Sequence, residues 1–244
     1  MTVTSRRDRL RAATLSEILE TARRLLVADG LHAVTLRAIS REMGMTAPAL
    51  YRYYDSLDAL LESLSIALFE ECIDHIEAEV AAQPDVSTKL AVACREFRTW
   101  SLAHKAEFAL MFASPADALR SEAGPDPTDP VFVVGMRFCA VYLTLFNELW
   151  LTHPFPAPAD DDLPADLRDQ LATFKAAAGT VLPIGALQVY LSHWIRLYGS
   201  VALEVFGHLG FALTDAQTMF ETELKSVMLS LMKPSKPGSG APRS

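Results

Sequence analysis

Residues 35–54 read TLRAISREMGMTAPALYRYY, and this stretch decides the fold. Its spacing predicts two short helices joined by a tight turn. Thr35 is an N-cap, and Leu36, Ile39 and Met43 fall on one apolar face. Gly44 supplies the left-handed backbone that ends a helix. Thr46 caps the second helix, and Pro48 sits in its first turn, where a missing N–H costs little. Leu50 and Tyr54, four residues apart, turn back to the core. Ala47, Pro48, Ala49, Tyr51 and Arg52 are left facing outward, a small surface with few charges. This is the layout of a helix-turn-helix.

The flanking segments complete a three-helix unit. Leu15, Ile18, Leu19, Ala22, Leu25 and Leu26 recur at helical spacing, and Asp29-Gly30 stops that helix with Leu31 folding back over its end. After the motif, Ser56 caps a long helix over 57–82, with Leu57, Leu60, Leu61, Leu64, Leu68 and Ile76 as its stripe. Further helices are expected over 87–106, 107–113, 131–151, 164–178, 183–206 and 215–232, the last capped by Thr214. Residues 114–130 and 153–163 are proline-rich loops, and Asp160-Asp161-Asp162 reads as solvated surface, not a metal site. No strand pattern or internal repeat is present.

The helix before Asp29-Gly30, the runs Val34-Thr35-Leu36-Arg37, Ile39 and Met43-Gly44-Met45, and above all Leu50-Tyr51-Arg52-Tyr53-Tyr54 resemble the DNA-binding domain of the tetracycline-repressor (TetR) family. The last run is similar to that family's Leu-Tyr-x-Tyr/His-Phe signature, and Asp58-Ala59-Leu60-Leu61 to the start of its fourth helix. The resemblance covers residues 15–61. A looser one lies near the other end. Trp194 to Gly199, Leu203-Glu204 and Gly207-His208-Leu209 resemble a TetR-like subgroup with a Trp-x-x-x-x-Gly…Leu-Glu pattern.

These residues imply contact with double-stranded DNA through a recognition helix in the major groove. Thr35 and Thr46 sit at helix N-termini, where a hydroxyl and backbone N–H groups favour a phosphate. The resemblance puts Tyr51 and Tyr53 among residues that touch phosphate or base, and Arg37 within reach of a guanine edge; Arg52, on the outward face, is a further DNA-binding candidate. Ala47, Pro48 and Ala49 can meet thymine methyls. Thr35 and Thr46 cap their helices whether or not they touch DNA, and surface packing is the plain alternative for Tyr51. One departure stands out: where many members carry a phosphate-gripping Lys, this chain has Leu57, with Asp55 nearby.

Charge agrees with that division. The net charge is −8, yet residues 1–55 hold nine Arg and no Lys against six acids, a net +3, leaving −11 for the remainder. A mildly basic unit on an acidic body fits a DNA reader joined to a domain with another task. Arg6, Arg7, Arg9 and Arg11 precede the first helix. They read either as a frayed tail or as an arm reaching phosphates or the minor groove.

The remainder is aromatic-rich. Phe97, Trp100, Phe138, Tyr142, Phe146, Trp150, Phe174, Tyr190 and Trp194 lie on helices together with the polar His104, Asn147 and His193. Each alone reads as core; as a set they suit a mostly apolar pocket with few polar atoms. The final two helices are apolar beyond one face, so Leu187, Leu197, Val201, Val205, Phe220, Leu224 and Val227 are expected at a two-fold interface. Enzymatic signatures are missing: there is no Gly-x-Ser-x-Gly, no phosphate-cradling glycine loop, no His-Glu-x-x-His and no histidine pair at i,i+4. No metal or cofactor is expected. Cys72, Cys94 and Cys139 are far apart and read as buried thiols in a reducing cytoplasm. Neither of the two most apolar stretches reads as a membrane span.

The expected molecule is all-α, an N-terminal three-helix helix-turn-helix domain followed by a larger helical ligand-binding and dimerisation domain. Its parts are a disordered basic arm over 1–13, the DNA-binding domain over 14–55, the helical domain over 56–233 and a disordered tail over 234–244. The expected function is a cytoplasmic homodimeric regulator, a repressor released from a near-palindromic operator by a small apolar effector. The alternative is a helix-turn-helix regulator without a small-molecule effector, controlled by a protein partner.

Overall fold

The Ser5 hydroxyl accepts from the Asp8 backbone N–H at 3.1 Å, while the Asp8 carboxylate accepts from Ser5 N at 3.2 Å. This reciprocal cap starts a helix at Arg6 and corrects the expectation of a disordered stretch up to residue 13. The signal, Ser-x-x-Asp, stands in the sequence. The structure is a computed structural model that describes residues 5–112 and 126–233. Residues 1–4, most of the first proline-rich loop and the expected tail lie outside the described residues.

Ten α-helices are present among the described residues, and no strand. They are α1 (Arg6–Asp29), α2 (Leu36–Glu42), α3 (Ala47–Leu50), α4 (Leu57–Ala81), α5 (Val86–Ala103), α6 (Lys105–Phe112), α7 (Pro130–Thr152), α8 (Ala165–Ala178), α9 (Ile184–Val205) and α10 (Gln217–Leu231). Two short 3-10 turns, Leu31–Ala33 and Asp160–Asp162, complete the list. The chain divides into two units, and the division passes through α4, between α5 and α6, and through α7.

The first unit comprises the described residues of Met1–Cys72 and His104–Met136. Its core is Ile18, Ala22, Leu25 and Leu26 of α1, Leu36 and Ile39 of α2, Leu50, Tyr54, and Leu60 and Leu64 of α4, all buried. Each large aliphatic side chain buried here contributes about 1.5–3 kcal/mol. Arg23 of α1 donates to both Glu71 oxygens on α4, at 2.6 and 3.0 Å, and to Glu107 on α6 at 3.1 Å. Glu107 is buried, so this guanidinium is its compensating charge.

The second unit comprises Ile73–Ala103 and the described residues from Arg137 onward. Phe97, Phe138, Tyr142 and Trp194 form one ring cluster, with centroids 5.3–6.0 Å apart. Phe146, Trp150, Phe155 and Tyr190 form a second. Arg98, almost fully buried, donates twice to Glu204 of α9, at 2.7 and 2.6 Å, and once to Gln217 of α10 at 2.6 Å. α7 is long and apolar enough, by length and composition, to cross a membrane, and Phe138, Tyr142, Leu145, Phe146, Leu149 and Trp150 on it are buried.

Two expected details change. The last helix starts at Gln217, whose N–H donates to the Asp215 carboxylate at 2.8 Å, so Asp215 and not Thr214 holds its first turn. Asp160 is more than solvated surface, since its carboxylate accepts from Gly185 N–H at 2.9 Å at the start of α9. A Cβ on Gly185 would collide with the Pro158 carbonyl, which is why the loop can lie so close to this helix.

Candidate DNA-binding surface and helical cavity

Thr35 accepts from Ala38 N–H at 3.1 Å and starts α2 as expected. The helix ends with Met45 N–H donating to Ser40 carbonyl at 2.8 Å, and Gly44 at φ 63° makes that return possible. The extended Thr46 then opens α3, where its carbonyl accepts from Ala49 and Leu50 N–H at 2.9 and 3.2 Å. Its hydroxyl takes no part in the cap, contrary to the sequence expectation. The helix is a single turn, yet Tyr54 N–H still donates to the Leu50 carbonyl at 3.2 Å and carries the coil onward.

The inner side of this motif is Leu36, Ile39, Leu50 and Tyr54, with Ser40 also buried. Thr35, Arg37, Thr46, Pro48, Tyr51 and Arg52 are exposed, and Ala47, Ala49 and Tyr53 half-buried. All nine candidate DNA residues are therefore together on the solvent side of α2, α3 and the turn after it. Tyr51 keeps 52 % of its surface in water. Leu57 is half-buried in the first turn of α4, and Ser56 caps that turn by accepting from Ala59 N–H at 3.0 Å.

Beside the motif lies an open groove of about 600 Å³ lined by Arg6, Arg7, Leu10, Arg11, Thr14, Arg52 and Tyr53. The Arg11 guanidinium carbon stands 5.2 Å from the centre of the Tyr53 ring, a cation–π contact between α1 and the end of the motif.

In the second unit a cavity of about 40 Å³ opens among α5, α7, α9 and α10. Of the expected pocket residues, Tyr142, Phe146, Tyr190 and Trp194 line it. Phe97, Trp100, Phe138 and Trp150 are buried but do not line this cavity, and Phe174 lies half-buried on α8. His104 belongs to the first unit, where its Nε2 is 3.9 Å from Glu71. His193, also expected there, lines it too, with Leu90, Cys94, Arg196, Ser200, Glu223 and Met228 among the other lining residues; a helical wheel of α10 would have suggested the last two.

The residues expected at a two-fold interface are largely covered within one chain. Leu197, Phe220, Leu224 and Val227 line the cavity inside one chain, and Leu187, Val201 and Val205 are buried in its core. They satisfy their own subunit first. Among the apolar residues left in water are Ile195, Leu203 and Phe206 on and just after α9, and Met219 and Leu229 on α10.

The cavity's polar atoms are few. The Tyr142 and Tyr190 hydroxyls each donate to a backbone carbonyl, of Ala93 and Cys139, at 3.1 Å. Burial pushes the Cys94 thiol up to about 12, so it stays protonated. His193 is held below its usual 6.5 mainly by burial, with Arg196 adding to the effect and the Val189 and Val227 carbonyls opposing it. Its Nδ1 is 2.7 Å from the Val189 carbonyl, so this nitrogen carries the proton of the neutral ring. Nε2 is buried and has no hydrogen-bond partner. No cluster of three metal-ligating side chains occurs among the described residues.

Comparison with known proteins adds the following. The family described as "Bacterial regulatory proteins, tetR family" matches residues 18–64, and the family "Tetracyclin repressor-like, C-terminal domain" matches residues 90–227. The chain is 29% identical over 236 residues to the HTH-type transcriptional regulator Rv1816 of Mycobacterium tuberculosis, covering 94% of this chain and 96% of the relative. Its fold is similar to the crystal structure of a protein described as regulatory, SCO4313, with a TM-score of 0.70, 28% identity and 91% and 98% of the two chains covered. A protein of unknown function from Rhodococcus sp. RHA1 shares the fold at a TM-score of 0.63 and 19% identity, over 90% and 95% of the two chains.

Proposed function

Because the chain belongs to the TetR family of helix-turn-helix transcriptional regulators, we propose that it works as a homodimeric repressor on a near-palindromic operator. The observation that carries this reading is the row of solvent-facing residues from Thr35 to Tyr53 on a buried Leu36–Ile39–Leu50–Tyr54 frame. In it Arg37 reads a guanine edge with two hydrogen bonds, and Ala47, Pro48 and Ala49 meet thymine methyls. Thr35, Thr46, Tyr51, Arg52 and Tyr53 hold phosphates. The free Thr46 hydroxyl suits that task better than a capping one.

The second unit serves dimerisation and control. Ile195, Gly199, Leu203 and Phe206 recur along one side of α9, and Met219, Thr222, Ser226 and Leu229 along one side of α10. A second copy of the same two stripes would cover both. Gly199, the glycine of the Trp-x-x-x-x-Gly pattern, falls inside the first stripe, where the absence of a side chain lets a partner helix come close.

The effector is a small, largely apolar molecule. Support comes from the aromatic lining, in which the tyrosine hydroxyls are already engaged with backbone carbonyls and His193 adds a polar ring. A cavity of about 40 Å³ holds little more than a water, so such a ligand enters only as α9 and α10 give way. That requirement links binding to a change of conformation. A ligand that prefers the altered state by about 5.5 kcal/mol moves a 1:99 equilibrium to 99:1. Control by a protein partner is the second reading, favoured by how small the cavity is.

The test is footprinting and titration on DNA flanking the gene for this chain. Tyr51→Ala weakens binding to every sequence, while Arg37→Ala costs about 1–3 kcal/mol and relaxes the preference at one base pair per half-site. Unchanged affinity in both variants would overturn the assignment.

A further inference from the structure

We propose that the groove between the first turns of α1 and the end of the recognition motif is a second DNA-contact site. It takes backbone phosphates of the duplex outside the bases that α3 reads. The inference rests on the DNA-binding reading and adds to it a surface from a different part of the chain.

Helical spacing selects the lining. Arg7, Arg11 and Thr14 stand at i, i+4 and i+7 of α1, with Arg6 and Leu10 beside them, so one side of the helix presents three guanidiniums. Arg9 points away from this side and is not part of the lining. Arg52 brings a fourth charge from the turn after α3. All four lining arginines are exposed, and none forms an ion pair with a carboxylate among the described residues. Asp8, the nearest acid in sequence, is engaged with Ser5 through N–H at 3.2 Å and Oγ at 2.7 Å. Among the described residues, therefore, no carboxylate pairs with the cluster's charge.

Two features hold the groove in shape before any DNA arrives. The Ser5–Asp8 cap keeps α1 helical to Arg6, which fixes the arginines at helical spacing in place of a loose tail. The Arg11–Tyr53 contact then ties that turn to the recognition motif, with the guanidinium carbon 5.2 Å from the ring centre. In a chain of net charge −8 this concentration of positive charge is local, and it borders the helix that enters the major groove. An open groove of about 600 Å³ fits an extended polyanion better than a small free anion, which needs converging donors.

The experiment is the salt dependence of binding to a mixed-sequence duplex of about 30 base pairs, for the full chain. Wild type is compared with a triple variant, Arg6→Gln, Arg7→Gln and Arg11→Gln, and with Arg9→Gln. Glutamine keeps good helix propensity at these exposed positions, and unchanged helical circular dichroism checks that α1 persists. The triple variant should lower the slope of log K against log[salt] by about 0.9 per lost contact, close to 3 per subunit, while Arg9→Gln leaves it unaltered. Footprints of the triple variant should shrink at their outer edges only. A triple variant with the wild-type slope overturns the groove, as does an Arg9→Gln slope that falls as much as one groove substitution. If wild type binds no duplex, the DNA-binding reading falls with it; if Arg37→Ala still loses selectivity while the triple variant behaves as wild type, only the groove falls.

Discussion

His193 shows how one buried residue ties stability to pH. Its folded-state value lies below 6.5, because burial disfavours the imidazolium. The unfolded chain therefore takes up a proton as pH falls through 6.5 while the folded chain resists it, so this contribution is complete above 6.5 and is lost on acidification. Denaturation midpoints of wild type should fall relative to those of His193→Gln between about pH 7.5 and 5.5. Parallel curves would show that the imidazole is not held neutral. Gly185 gives a sharper single-site expectation. A methyl group there meets the Pro158 carbonyl, so Gly185→Ala should destabilise by about 1–3 kcal/mol by urea denaturation. At Gly199 the space is open, and Gly199→Ala should cost the folded subunit nothing.

At the level of elements, the helices are joined by two guanidiniums, one buried and one half-buried, as well as by packing. Arg98 links α5 to α9 and α10, and the Arg98 and Glu204 side chains are only 9% and 14% exposed. Arg98→Ala leaves that carboxylate uncompensated and should cost about 3–5 kcal/mol. Arg23 links α1, α4 and α6 in a wetter place, with Arg23 and Glu71 at 29% and 42%, so Arg23→Ala should cost less, about 1–3 kcal/mol. The opposite ranking by urea denaturation would contradict this view of what joins the helices. These ties also mark where the sequence stopped being informative. Periodicity located all ten helices, because Leu36–Ile39, Leu57–Leu60–Leu64 and Leu187–Tyr190–Leu191 repeat at helical intervals. The outward face of the recognition motif was equally legible, since Leu50 and Tyr54 determine which side is in. Ion pairs such as Arg98–Glu204, more than a hundred residues apart, leave no local pattern. Periodicity also cannot say which of two apolar stripes on α9 and α10 is buried in the subunit; Val201 and Phe220 lie on the buried one.

For the whole molecule, the corrected stripes give the assembly its test. Wild type should sediment as a dimer at micromolar concentration, and Ile195→Glu with Leu203→Glu, both at exposed sites, should yield a folded monomer. A wild-type monomer would remove the two-fold on which a palindromic operator depends. The central claim is that a dimer of this chain reads DNA through the solvent face of α2 and α3. Selection of bound duplexes from a random pool tests it most directly. Wild type should enrich a near-palindrome whose half-sites lie about one helical turn, or a multiple of it, apart, and Arg37→Ala should relax one position in each half-site. Enrichment of no motif, or of a motif that Arg37→Ala and Tyr51→Ala select unchanged, would contradict it.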